Sequence, residues 1–99
     1  MIRILVLYPK GEATTFDTNY WTTTHMPMLS TAWPTCTWEA DVCADDSPYY
    51  AVAHIKFASK DEMGAAMGGP GTGQVMGDIT NYTNVSPVMS INEVASTSS

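Results

Sequence analysis

Positive charge is what this sequence has least of. Only Arg3, Lys10, Lys56 and Lys60 are basic among 99 residues, against 10 Asp and Glu, for a net charge of −6. The four are scattered. Gripping a phosphate backbone needs Lys and Arg concentrated on one surface, so nucleic acid is excluded as a partner. The same shortage argues against an anionic membrane surface. Long apolar runs are missing too. The longest lies around Ile4-Leu5-Val6-Leu7 and is ended by Pro9, far short of the roughly 20 residues of a spanning helix. It is also too short for a secretory signal, and the expectation is a cytoplasmic protein.

Cysteine occurs only at Cys36 and Cys43, in one segment that reads as a strand. An odd separation points the two to opposite faces, and extended chain holds them beyond disulfide reach. Two free thiols are expected, which suits a reducing compartment. No neighbour is in place to lower a thiol pKa, so a nucleophilic role is not indicated. The glycine-rich run Gly68-Gly69-Pro70-Gly71-Thr72-Gly73 lacks the Gly-Lys-Ser/Thr ending of a phosphate loop and does not follow a strand, which removes the nucleotide signatures. His25, His54 and Asp78 lack close ligand spacing, so no metal site and no cofactor are expected.

What is present is one compact domain's worth of chain. A chain of this length buries roughly two-thirds of its unfolded surface. The domain is expected over residues 1–95, with a small, polar, frayed tail at 96–99. Charged residues make up 14% against a typical ~25%, which fits a surface partly turned towards a partner chain.

The β-branched run Ile2 to Tyr8, closed by Pro9-Lys10-Gly11, predicts a strand and turn. Asp17 or Thr15 is placed to cap a helix beginning near Thr18. Thr22 to Thr24 are poor helix formers, and Pro27 predicts a kink or the start of a new turn. Cys36 to Cys43 reads as a second strand, followed by a polar turn, Ala44 to Pro48. Tyr49 to Phe57 is a third, with Tyr50, Val52, His54 and Lys56 on one face and Tyr49, Ala51, Ala53, Ile55 and Phe57 on the other. Ser59-Lys60-Asp61-Glu62 predicts a helix from Lys60 that stops at Gly68-Gly69-Pro70. Thr72 is the expected cap of a short helix through Val75, Met76 and Ile79. Val88 to Val94 is the last strand.

The order β-α-β-β-α-(short α)-β is the ferredoxin-like split βαβ arrangement. It predicts an α+β fold: a four-stranded antiparallel sheet with both main helices on one face. The other face is expected to be apolar and to be covered by stacking two sheets in a homodimer.

Tyr8-Pro9, Phe16-Asp17, Tyr20-Trp21 and His25-Met26-Pro27-Met28 resemble the opening signature of the EthD family. Met76-Gly77-Asp78-Ile79-Thr80-Asn81-Tyr82-Thr83, followed by Pro87-Val88, resembles its closing signature. The resemblance covers essentially the whole chain; between Leu29 and Asp46 the sequence departs from the family pattern. It implies a dimeric α+β barrel with a pocket in each protomer between sheet and helices. The family is named for an ether-degradation operon, where the small member resembles an accessory to a cytochrome monooxygenase system. Relatives are associated with polyketide and aromatic metabolism, including cyclase-like and decarboxylase-like steps.

Histidine is the only side chain whose unperturbed pKa lies near neutrality, so proton chemistry points to His25 or His54. Spacing of i, i+4 aligns Asp17, Trp21, His25 and Met28 or Leu29 on one helix face, with Phe16, Tyr20 and Thr24 beside them. His25 is the candidate base, with Tyr20, Asp78 and Tyr82 as partners. His54 is the second candidate if its strand turns it into the same cavity. Tyr8, Phe16, Trp21, Met28 and Met67 are the candidate ligand contacts; thioethers and aromatic rings suit an aromatic or polycyclic compound. Two functions are compatible with these residues. One is a cofactor-independent enzyme that uses proton transfer to cyclise, dehydrate or decarboxylate an aromatic or polyketide-like molecule. The other is a non-catalytic binding or accessory protein of an oxidative degradation pathway, with a cofactor-free monooxygenase a third reading.

Overall fold

The structure is a computed structural model, and it describes residues 1–98. Strand β1 (Ile2–Pro9) alternates strictly, burying Ile2, Ile4, Val6 and Tyr8. Strand β3 (Tyr49–Phe57) buries Ala51, Ala53, Ile55 and Phe57. The two are antiparallel with Ile4 opposite Ile55, Val6 opposite Ala53 and Tyr8 opposite Ala51, so both apolar rows lie on one side of the sheet. Strand β2 (Thr37–Val42) pairs with β3, and β4 (Val88–Glu93) with β1, giving the antiparallel order β2-β3-β1-β4. This is the expected split βαβ sheet. Strands β2 and β4 are each shorter than the runs from which they were expected.

The first helical stretch is not uniform. Asp17 caps α1 (Thr18–Tyr20) by accepting from the Tyr20 N–H. A π-helical turn (Trp21–His25) comes next, then α2 (Met26–Ala32). The hydroxyls of Thr22 and Thr23 donate back to the Thr18 and Asn19 carbonyls, competing for the acceptors of the ordinary ladder. Pro27 supplies no N–H to restore it. The turn widens instead, and the Met26 N–H reaches Trp21 O. Helix α3 (Lys60–Met67) starts at Ser59, whose hydroxyl accepts from the Glu62 N–H.

Helix α4 (Thr72–Gly77) corrects one expectation: Thr72 is not its cap. The Thr72 hydroxyl accepts from Trp33 Nε1 at 2.9 Å and donates to Ala66 O at 3.2 Å, tying α2 to the end of α3. Ile79 falls in a separate 3-10 turn (Ile79–Asn81).

Trp21, Met26, Leu29 and Trp33 cover the sheet and are fully buried. The cover stops short of β4, where Met89 and Ile91 share the helix-side face of Val6 and Ile4 yet are 42% and 60% exposed. The opposite sheet face is apolar only at one end, around Leu7, Val52 and Val88. Farther along lie Arg3, the hydrogen-bonded pair of His54 with Asp41 and the ion pair of Lys56 with Glu39, so the expected continuous apolar face is corrected to a mixed one. Cys36 is buried, Cys43 half-buried, and both are free. Ala95 to Ser98 are exposed and irregular; Ser99, the last residue of the expected tail, lies outside the described residues. Among the described residues no helix is long and apolar enough to cross a membrane.

Candidate functional site

The two sequence blocks singled out for His25 and Asp78 are brought together by backbone. Phe16 and Thr83 form an isolated antiparallel bridge, the Asp17 N–H donates to Tyr82 O at 2.7 Å, and the Thr83 hydroxyl donates to Thr15 O at 2.6 Å. This clamp sets the 3-10 turn against the π turn. π-helical turns are common where a helix must re-aim a functional side chain, and here the turn ends on His25.

His25 is 3% exposed. Its Nδ1 lies 2.8 Å from Asp78 Oδ2. The other Asp78 oxygen accepts from the Tyr20 hydroxyl at 2.7 Å and from Asn81 Nδ2 at 2.9 Å. On the far side of the imidazole, Nε2 is 3.3 Å from the Tyr82 hydroxyl, which is 2.7 Å from the Tyr8 hydroxyl. The Tyr82 ring packs on the imidazole at 4.6 Å between centroids.

Protonation states can be read from these contacts. Burial pushes the His25 pKa down, and the hydrogen bond and charge of Asp78 only partly oppose it. Burial alone would raise the Asp78 carboxyl. The bonds from Tyr20, Asn81 and His25 outweigh that and hold it below the usual carboxylate value. Tyr8 and Tyr82 are raised, chiefly by burial, and Tyr20 is raised because it donates to Asp78. Near neutral pH the site therefore holds an ionised carboxylate, a neutral imidazole and protonated tyrosines. Asp78 can only accept, so the imidazole proton sits on Nδ1 and Nε2 carries the free lone pair.

A cavity of about 180 Å³ lies between this group and the sheet. Val6, Tyr8, Ala53 and Ile55 form its floor, and His25, Met26, Leu29 and Trp33 its roof. Val75, Met76, Ile79, Pro87 and Met89 flank it on the side that β4 leaves uncovered. Among these lining residues only Tyr8, His25 and Trp33 carry N–H or O–H groups on their side chains, and the Trp33 N–H is already given to Thr72.

Of the residues expected at the site, His25, Asp78, Tyr20, Tyr82 and Tyr8 form one connected group. His54 does not join it, which is a correction. It alternates with Ala53 and Ile55, so it projects from the other sheet face, where its Nε2 meets Asp41 Oδ2 at 2.6 Å. Four expected ligand contacts also lie outside the cavity. Trp21 is buried behind Tyr8 with rings 6.0 Å apart, and its Nε1 has no hydrogen-bond partner among the described residues. Phe16 stacks on Tyr50 at 5.5 Å. Met28 lines an outer groove between α2 and α4, and Met67 packs at the core's margin. Sequence reasoning missed Ala53, Ile55 and Val75 as lining residues. The strand alternation already pointed to Ala53 and Ile55.

No protein-family model matches the chain, and no curated protein matches it; solved structures do. An EthD-like protein from Ralstonia eutropha is 30% identical, with 99% of this chain and 95% of that one aligned at a TM-score of 0.83. An ethyl tert-butyl ether D (EthD) family protein from Bacillus halodurans is 16% identical, with 95% and 98% aligned at 0.69. A dimeric protein of ferredoxin-like fold from Bacteroides fragilis is 9% identical, with 94% and 95% aligned at 0.63.

Proposed function

The chain belongs to the EthD family, and from that premise we propose that it is a small enzyme performing acid–base chemistry on an aromatic or polyketide-like compound. The observation that carries this reading is the Asp78–His25 pair at 2.8 Å, set in the wall of an apolar cavity. His25 is the general base: the carboxylate fixes its tautomer, burial keeps it neutral, and its unprotonated Nε2 is the acceptor. After taking a proton the imidazolium is stabilised by the same carboxylate, and it can return the proton as an acid. Removal and return of one proton is the step shared by cyclisation, dehydration and decarboxylation of such compounds. Tyr20 and Asn81 hold Asp78 and are positioning residues.

The active form is a homodimer working in the cytoplasm. The dimeric state of the Bacteroides fragilis neighbour supports the first, as do the uncovered apolar side chains Met89 and Ile91 on the helix-side face of edge strand β4. The free thiols fit the second. The test is turnover of a substrate found by screening aromatic and polyketide-type compounds. His25→Ala is expected to abolish it while fold and oligomeric state persist. Undiminished turnover in that variant would make the protein a binding or accessory component instead.

A further inference from the structure

The hydrogen bonds around His25 have a direction, and it leads out to the cavity. Asp78 only accepts, so His25 donates from Nδ1 at 2.8 Å and Nε2 must accept. The hydroxyl facing Nε2 at 3.3 Å is that of Tyr82. Either hydroxyl of the Tyr82–Tyr8 pair, 2.7 Å apart, can donate; Tyr82 has a single proton, and with that proton given to Nε2 its oxygen is left to accept from Tyr8. The one proton of Tyr8 is then committed inward, and Tyr8 belongs to the cavity wall. What it offers a ligand is a lone pair.

Around that acceptor the wall is Val6, Leu29, Ala53, Ile55 and Val75, with no Lys or Arg. The volume of about 180 Å³ is a little above the ~150 Å³ in which an apolar cavity holds benzene. From this directionality, wall and size, and resting on the acid–base reading above, we infer that the site takes an uncharged single-ring compound, or one ring of a larger one, bearing a hydroxyl that donates to Tyr8. The ligand class is a phenol or a cyclic enol. A carboxylate would sit in an apolar wall with no cation, on the same side of the sheet as the Asp78 charge, and is rejected, which leaves cyclisation and dehydration, and not decarboxylation, as the reactions of this site.

The same chain moves the proton. The ligand O–H bond breaks towards the Tyr8 oxygen, the Tyr8 proton passes to Tyr82, and the Tyr82 proton passes to His25 Nε2. The result is a ligand oxyanion held by the Tyr8 hydroxyl and an imidazolium held by Asp78. No electrons are exchanged. Tyr8 thus becomes the residue that touches the substrate, with Tyr82 as its relay.

The experiment is an NMR titration of the intact protein with phenol, toluene and benzoate. Phenol is expected to bind about 5- to 10-fold more tightly than toluene, the worth of one neutral hydrogen bond. Benzoate is expected to bind at least ~100-fold more weakly than phenol. Tyr8→Phe should retain toluene and erase the preference for phenol. Ala53→Leu should fill the cavity and remove both, with Met89→Trp at the mouth as the substitute if Ala53→Leu fails to fold. Benzoate binding as well as phenol, or a phenol preference that survives Tyr8→Phe, would overturn the assignment. A phenol preference that depends on Tyr8, in a protein whose turnover survives His25→Ala, would uphold the ligand class and remove the catalytic reading.

Discussion

Asp78→Asn is the substitution whose consequences the geometry defines most sharply. The carboxylate receives three hydrogen bonds, from Tyr20 at 2.7 Å, Asn81 at 2.9 Å and His25 at 2.8 Å. An amide of the same shape offers one accepting oxygen and an NH₂ that only donates. If the oxygen keeps Tyr20 and Asn81, the NH₂ faces His25 Nδ1, which must then give up its proton to Nε2. The imidazole is forced into the opposite tautomer and loses its acceptor towards Tyr82. Bonds to a charged group are worth about 1.5–3 kcal/mol and neutral ones about 0.5–1.5 kcal/mol. Converting the two that remain lowers stability by roughly 2–3 kcal/mol. At about 4–8 °C per kcal/mol for a domain of this size, Tm falls by at least ~8 °C. Turnover falls by roughly 10²–10⁴, the range over which general base catalysis contributes. Circular dichroism melting measures the first effect, and long-range ¹H–¹⁵N correlation of the His25 ring reads the tautomer without any substrate. A variant that melts within ~2 °C of the parent and keeps its proton on Nδ1 would refute the account of the pair.

Other consequences concern the surroundings. His54→Ala should leave cavity binding and turnover unchanged, because His54 projects from the other sheet face; its exposed pair with Asp41 is worth under ~1 kcal/mol, which thermal unfolding will show. Gly71→Ala should destabilise by about 1–3 kcal/mol, since its new Cβ would meet Ala32 Cβ at 2.6 Å and Cα at 2.7 Å; the measurement is again Tm. Acid should weaken the fold before it protonates ordinary carboxylates. The folded state holds the His25 pKa below its ordinary value, so the folded chain binds fewer protons there, and stability present above about pH 6.5 is lost as pH falls. Denaturant midpoints at two pH values, in the parent and in His25→Gln, isolate that contribution.

Much of the fold is legible because strand alternation is a local signal. Ile2, Ile4, Val6 and Tyr8 against Ala51, Ala53, Ile55 and Phe57 define both the pairing and the face that the helices cover. Ser59 and the Gly68-Gly69-Pro70 break bracket α3 for equally local reasons. The site is legible as residue types but not as contacts. His25 and Asp78 are 53 positions apart, and only the clamp between Asp17 and Tyr82 makes them neighbours. His54 shows the opposite failing. Its alternation with Ala53 and Ile55 is plain, and Lys56 on its own face marks that face as solvated; the aromatic and aliphatic neighbours Tyr50 and Val52 mask that signal. The i, i+4 spacing offers Met28 or Leu29 beside His25; Leu29 lines the cavity together with Met26, and Met28 turns to the outer groove between α2 and α4.

The claim on which the functional account turns is that His25 is a neutral imidazole with an unprotonated Nε2 at neutral pH. A ¹⁵N NMR titration of its ring in the unmodified protein tests this directly. The account predicts a proton on Nδ1 and a midpoint below the ordinary value of about 6.5. An imidazolium persisting at neutral pH, or a neutral ring with its proton on Nε2, would contradict it.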